Sequence, residues 1–247
     1  MTHIFIYFLA GPLQRMASSE ATTGVDSKIN QQKALLDCVG FVTLLGTFGD
    51  DLTVVNAARV SFAKESVEIT EADKKLIKYL ATNGHISPFF HPQIRLRLKM
   101  PIFVAREWFR HTVGFARNEV SRRYVDTPPE IFLPDELRAR DVRVKQGSKE
   151  ESIENNDVVV DEIRSFQDSA LILYNRLLDA GVAPEVARGV LPQNMYTEFV
   201  ETGSLYAYAR LCKLRLDTHA QKEIREYATA VNDLLAPLFP HSWPWLV

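Results

Sequence analysis

The sequence predicts an α+β protein: a small antiparallel or mixed sheet with its helices segregated from it. Three observations carry this. Gln93 to Met100 sets Ile94, Leu96, Leu98 and Met100 against Arg95, Arg97 and Lys99, which is the period of a strand with one buried face. Several longer stretches carry apolar stripes at helical spacing together with their own start and stop residues. The two kinds of segment do not follow one another in regular βαβ alternation, which argues against a doubly wound sheet.

The elements follow in order. Residues 1–33 read as a weakly structured extension. Its apolar run Ile4 to Ala10 is too short to span a bilayer and lacks a basic segment before it, and Ala17 to Gln32 is rich in Ser, Thr, Gln and Gly. Residues 34–247 read as one domain. Asp37 to Phe48 is a first strand, rich in Val, Phe, Leu and Thr and closed by Gly49-Asp50. Leu52, Val55 and Ala58 give Asp51 to Val60 helical spacing. Thr70 and Asp73 form a capping box for a second helix, with Leu76, Ile77 and Leu80 inward and Gly84 at its left-handed end. His85 to His91 is a turn, because Pro88 forbids helix at Ser87.

After the strand Gln93 to Met100, Pro101 opens a helix striped by Ile102, Val104 (or Ala105), Trp108 and Phe109, which Gly114 breaks. Glu119 to Val125 alternates again and reads as a strand placing Glu119, Ser121 and Arg123 on one face. Arg138 to Asn156 is charged and nearly free of apolar residues, an exposed, mobile insertion. A long helix is expected over Val158 to Ala180 with Ile163, Phe166, Ala170, Leu173, Tyr174 and Leu177 inward. A short helix follows at Pro184 to Val190, a strand at Met195 to Glu201 and a helix at Ser204 to Leu216. Thr218 and Gln221 make a capping box for the last helix, with His219 in its first turn and Ile224, Tyr227, Val231 and Leu235 inward.

The 247 residues, 46% hydrophobic and 24% charged, are enough for a sizeable core. A net charge of −2 argues against nucleic acid or a membrane surface as partner, so any positive site must be local. Cys38 and Cys212 have no CxxC or metal-ligand spacing and suit a reducing compartment such as the cytoplasm.

Such a local site is Pro101 to Tyr124, which holds Arg106, Arg110, Arg117, Arg122 and Arg123, no Lys, and Trp108, Phe109 and Phe115 among them. Arg offers a planar fork for phosphate or carboxylate, and the aromatics offer flat surfaces. The run suits a flat, phosphate-bearing ligand; its bland alternative is an ordinary exposed helix and strand. No GxGxxG or GxxxxGK[ST] loop is present, so any nucleotide must be held by cationic side chains. His85 and His91 are wrongly spaced for a metal pair, so no metal is expected. Ser121 lacks a Gly-flanked elbow, and neither Cys has a nucleophile's context. A non-catalytic RNA- or nucleotide-binding module remains open from these residues, against the net charge.

Arg110-His111-Thr112, then eight residues, then Ser121, with Asn118-Glu119 and Arg123-Tyr124 around it, resembles the signature of flavin-dependent thymidylate synthases. Further blocks are similar and in order: Asp51-Leu52 with Ala57 to Phe62; Gly84 to Phe89; Pro101 to Arg110; Pro184 to Arg188 with Leu191-Pro192 and Tyr196-Thr197; and Leu214-Arg215 with Asp217 to Gln221.

The resemblance implies a thymidylate synthase-complementing fold assembled as a homotetramer, with active sites shared between subunits. It implies dTMP synthesis from dUMP, with FAD as cofactor, NADPH and 5,10-methylene-tetrahydrofolate as co-substrates, and no protein nucleophile on the pyrimidine. Arg215 would activate the uracil. FAD would be held by Ser87, Arg110, His111, Thr112, Glu119, Ser204, Leu205, Tyr206, Arg210 and His219. dUMP would be held by Glu107, Trp108, Phe109, Arg110, Glu119, Val120, Ser121, Arg122, Arg123, Arg188 and Arg215, and His85 and Tyr124 would lie on the folate and nicotinamide face. Thr112 stands where the family has Arg, which leaves Arg117 to supply that cation to FAD. Glu107 stands where Gln is common and is expected to contact Arg106 or a ribose hydroxyl. A nearby alternative within the same chemistry is a flavin- and folate-using methylase of another uracil.

Overall fold

The structure, a computed structural model, describes residues 32–125, 127–142 and 148–247. The expected N-terminal extension lies outside the described residues over 1–31, and its last two positions belong to a strand. In chain order the elements are β1 (Gln32–Leu35), β2 (Gly40–Phe48), α1 (Asp51–Arg59), α2 (Glu71–Thr82), β3 (Gln93–Pro101), α3 (Ile102–Trp108), β4 (Phe115–Glu119), β5 (Arg138–Arg140) and β6 (Ser148–Ser152). They continue as α4 (Asn156–Asp179), α5 (Pro184–Ala187), β7 (Tyr196–Ser204), α6 (Leu205–Arg215), α7 (Lys222–Leu235) and α8 (Trp243–Leu246).

The expected α+β organisation is present. A five-stranded sheet runs in the order β1-β2-β3-β7-β4, antiparallel at every pairing. β3 sits at its centre, and its alternation does what its sequence requires: Ile94, Leu96, Leu98 and Met100 are fully buried while Arg95 and Arg97 are exposed. Helices cover the apolar face. α7 lays Ile224, Tyr227, Val231 and Leu235 into the core as expected, and Tyr227 donates to the Lys99 carbonyl at 2.7 Å. Locally encoded ends are also where the sequence puts them. Thr70 and Asp73 cap α2 reciprocally, and Gly84 follows that helix at φ +72°.

Four expectations are corrected. The strand expected at Glu119 to Val125 lies earlier, as β4, because pairing with β7 runs from Phe115 opposite Gly203 to Glu119 opposite Phe199. Past a last bond from Val120 N–H to the Glu198 carbonyl at 2.8 Å, the chain turns, closed by Tyr124 N–H donating to the Ser121 carbonyl at 3.0 Å. α7 begins at Lys222 with no side-chain cap, so the Thr218–Gln221 box does not form. Asp217 instead accepts the His219 N–H at 2.8 Å and holds a separate turn, placing His219 outside the helix. In α4 the buried face is Val160, Gln167, Ala170 and Tyr174, which packs towards α5 and the Phe132 segment. Phe166 and Leu173, expected inward, are 65% and 40% exposed. Within the expected insertion, β5 and β6 pair as a hairpin, tied to α7 by Arg138 donating to both Glu223 oxygens at 2.7 and 3.1 Å.

Candidate active site

The signature stretch is built at the end of α3. The helix ends at Trp108, and His111 N–H returns to the Trp108 carbonyl at 3.1 Å, so His111 leaves the helix end as a fixed turn. The last residue of α6, Arg215, meets it there. Arg215 Nε donates to His111 Nε2 at 2.9 Å, and Arg215 Nη1 donates to Glu107 Oε1 in an ion pair. Glu107 therefore binds Arg215 rather than Arg106, whose Nη1 donates to Gln193 Oε1 at 3.2 Å. Burial first, then the positive charges of Arg215, Arg117, Arg210 and Arg110, push the His111 imidazole down from 6.5 to about 4.

Arg117 is paired within the sheet. β4 and β7 place it opposite Glu201, which is fully buried, and its Nε donates to Glu201 Oε2. Trp108 Nε1 donates to the same carboxylate at 3.2 Å, while Phe109 and Phe115 flank the guanidinium at 5.3 and 4.7 Å. Trp108 is fully buried, so this chain turns it into the core rather than toward a ligand. Burial raises the Glu201 carboxyl above the ordinary range, against the pull of Arg117 and Trp108.

A cleft of about 700 Å³ opens at the Pro101 end of the sheet. The consecutive residues Glu119, Val120, Ser121 and Arg122 line it together with Arg188, far away in sequence. Ser121 and Arg123 are joined as expected, but by the turn and not by a strand: Ser121 Oγ accepts from Arg123 N–H and Nε, both at 3.4 Å. Arg123 also lies 5.0 Å from the Tyr124 ring, which is itself exposed. The Arg122 guanidinium is drawn to the Thr127 carbonyl. Arg188 makes one weak contact, to the Glu185 carbonyl at 3.4 Å, and no ion pair among the described residues.

Sequence reasoning missed the floor of this cleft. Arg97 pairs with Glu198, Lys99 pairs with Glu130, and Thr197 Oγ1 donates to Glu119 Oε1 at 2.5 Å. The alternation of β3 had marked Arg97 and Lys99 as a cationic face, but their carboxylate partners lie 101 and 31 residues away in sequence.

The other candidates fall around the start of α6. Ser204 is buried and caps α6 by accepting the Ala207 N–H at 3.2 Å; Leu205 beside it is fully buried. Tyr206 meets Phe90 at 5.3 Å and Arg210 at 5.9 Å. Gly114 reaches its position at φ +82°, where a Cβ would come within 3.0 Å of Ala207 and of Ser204 Oγ. Ser87, Arg110, Thr112 and His219 are exposed, as is His85, which stacks on Tyr79 at 5.7 Å. Among the described residues no cluster of His, Cys, Asp and Glu forms a metal site, and no helix is long and apolar enough to cross a membrane.

A family model described as thymidylate synthase complementing protein matches residues 43–241. The chain belongs to this family. A flavin-dependent thymidylate synthase of Thermosipho africanus is 40% identical over 207 residues, covering 83% of this chain and 88% of that protein. One of Thermus thermophilus is 40% identical over 204 residues, covering 83% and 74%, and one of Wolbachia pipientis is 35% identical over 224 residues, covering 89% and 77%. Among solved structures, a UMP/dUMP methylase PolB from Streptomyces cacaoi bound with 5-Br dUMP is similar at a TM-score of 0.75 and 31% identity, covering 83% of this chain and 93% of that chain.

The donor set around His111 fits an anionic, phosphate-bearing cofactor such as FAD. Four guanidiniums, those of Arg110, Arg117, Arg210 and Arg215, act on His111, and two carboxylates, Glu107 and Glu201, are paired with them. Arg110 and Arg210 have no carboxylate partner among the described residues, so the cluster carries surplus positive charge of the kind a pyrophosphate would neutralise.

Proposed function

We propose that the chain makes dTMP from dUMP, taking the carbon from 5,10-methylene-tetrahydrofolate and reducing equivalents from NADPH. The observation that carries this reading is the meeting of Arg215 with the Arg110-His111 turn beside the cationic cluster, in a chain of this family. FAD, when bound, supplies the hydride that reaches the uracil. Arg110, Arg210 and the Nδ1 side of His111 would hold it, with Ser87, Ser204, Leu205, Tyr206 and His219 around it and Glu119 at its edge.

The phosphate of dUMP would lie in the cleft on Arg188, Arg123 and Ser121. Arg188 suits this because it lines the cleft and makes no ion pair among the described residues. Arg215 would then present its fork to the pyrimidine carbonyl edge and stabilise the negative charge that grows there as C6 is reduced. No side-chain nucleophile is needed: burial pushes the Cys212 thiol far above its ordinary range, and Cys38 is not among the cleft-lining residues. His85 and Tyr124, both exposed, are free to meet the folate and nicotinamide.

We further propose that the chain acts as a homotetramer with shared sites and works in the cytoplasm. Phe166, Ile172 and Leu173 of α4, exposed at 65%, 60% and 40%, support self-association, and two unpaired cysteines suit a reducing compartment.

The test is to purify the chain, record its absorbance for bound flavin, and measure dTMP formed from dUMP with the folate and NADPH. Folded, colourless protein that takes up no FAD and forms no dTMP would refute the reading. UMP belongs in the same assay, because the PolB structure belongs to a UMP/dUMP methylase; equal turnover of UMP would favour the broader methylase.

A further inference from the structure

We propose that His111 and Glu107 are positioning residues for Arg215, gripping its guanidinium from two sides so that its free N–H edge meets the pyrimidine in one orientation. This rests on the dTMP-forming reading above for its catalytic consequence, but the grip itself is a matter of this chain's geometry.

Arg215 is the last residue of α6, at the end of a long flexible side chain, and nothing in its own helix fixes its rotamer. Two residues from the end of α3 fix it instead. His111 Nε2 takes the Nε–H at 2.9 Å, and Glu107 takes an Nη1–H. The partners lie 104 and 108 residues away in sequence, and the side chains of Arg215 and Glu107 are only 18% and 24% exposed. With Nε and one edge of Nη1 engaged, the planar fork can turn neither about its stem nor out of its plane. Three of the five N–H groups are left over, one on Nη1 and both on Nη2, and together they can meet one planar acceptor edge.

The grip dictates the state of His111. Arginine has donors only, so Nε2 must be the accepting nitrogen and the ring proton must sit on Nδ1. A second proton would remove the acceptor and set two cations against each other. Burial and the surrounding guanidiniums prevent this by holding the imidazole at about 4. The two roles of His111 are then compatible: Nε2 holds Arg215, and Nδ1–H stays available to a flavin acceptor.

Three variants and two readouts test this. His111→Leu removes the acceptor, His111→Gln keeps one, and Glu107→Gln keeps an acceptor without the charge. A misplaced group commonly costs about 100-fold in rate. His111→Leu should therefore lower kcat for dTMP formation by about that factor, with dUMP binding changed less than about threefold and the melting temperature little moved. His111→Gln should restore most of kcat. Equal losses in His111→Leu and His111→Gln, or unchanged kcat in His111→Leu, would overturn the proposal.

The second readout needs neither substrate nor flavin. NMR of the 15N-labelled chain should show a slowly exchanging Arg215 Nε–H and a His111 ring protonated at Nδ1 at neutral pH. Glu107→Gln should leave that ring tautomer in place. A freely exchanging Nε–H, or a ring protonated at Nε2, overturns the grip. If the wild type forms no dTMP, the functional reading falls, while the Nε–H signal still decides the grip.

Discussion

Arg117 on β4 and Glu201 on β7 stand directly opposite each other in the ladder and close an ion pair beneath the signature turn. Trp108 completes it from α3, so one fully buried carboxylate ties three elements together. Breaking such a pair leaves an uncompensated buried charge, which costs about 3–5 kcal/mol, whereas replacing both partners with apolar side chains is often neutral. Glu201→Ala should destabilise by about that amount in urea unfolding, and the pair Arg117→Met with Glu201→Leu should recover most of it. Additive losses in the double variant would show that the pair is not the unit.

The same pairing bears on the flavin. Arg117 is engaged with Glu201 through Nε, which neutralises the charge it would bring to the place of the missing Arg at Thr112. Arg110 and Arg210, which have no carboxylate partner among the described residues, are the better candidates for holding a pyrophosphate. Loss of a charged hydrogen bond is worth about 1.5–3 kcal/mol. Arg210→Ala should then weaken FAD retention roughly tenfold or more, read as flavin absorbance after gel filtration. Retention unchanged in both Arg110→Ala and Arg210→Ala would remove them from the flavin site.

In the cleft, Arg97 and Lys99 are neutralised by Glu198 and Glu130, and Arg188 makes no ion pair among the described residues. Arg188→Ala should weaken dUMP binding about 10–100-fold, the scale of one charge-assisted bond to phosphate. Arg97→Ala should weaken it far less. Calorimetric titration with dUMP separates the two, and equal effects would contradict the assignment of the phosphate to Arg188.

The depressed His111 links stability to pH. The unfolded ring takes its proton near 6.5 and the folded ring only near 4, so between these values the unfolded state binds more protons. Its contribution is fully present above about 6.5 and is lost as pH falls towards 4. His111 is half-buried, so solvent screening holds the loss on the order of 1 kcal/mol. His111→Gln should therefore gain relative to wild type between pH 6.5 and 4 and keep a constant difference above 7. A difference independent of pH would contradict the neutral ring.

What the sequence disclosed was local. The α2 cap needs only Thr70 and Asp73, the buried face of β3 needs only its own alternation, and Pro101 and Gly114 mark their turns by backbone restriction alone. What it hid was pairing at long range. Glu119 to Val125 alternates like a strand, but an edge strand extends only as far as β7 can accept it, and that partner is about 80 residues away. Phe166 and Leu173 fit a helical stripe, yet which stripe is buried depends on where α5 and the Phe132 segment lie. The candidate site followed the same division. The signature residues could be named, while the partners of Glu107, Arg117 and Arg215 could not, because each comes from another element.

Gly40 shows how close packing at one backbone position supports the cleft. A Cβ there would lie 2.2 Å from Tyr227 Oη and 3.3 Å from the ring carbon that bears it. Tyr227 cannot simply move, because it is fully buried and its hydroxyl is donated to the carbonyl of Lys99, a residue that lines the cleft. Gly40→Ala must therefore shift the sheet or break that bond, at the roughly 1–3 kcal/mol typical of overpacking. Tyr227→Phe removes the clashing oxygen, so the double variant should lose less stability than the sum of the single ones, with a coupling of about 0.5–3 kcal/mol. Because the strain is carried to Lys99, Gly40→Ala should also weaken dUMP binding, and Tyr227→Phe should not restore that binding fully. Chemical unfolding and dUMP titration of the three variants check both points. Strict additivity would mean that Gly40 is tolerated for reasons other than the approach of Tyr227.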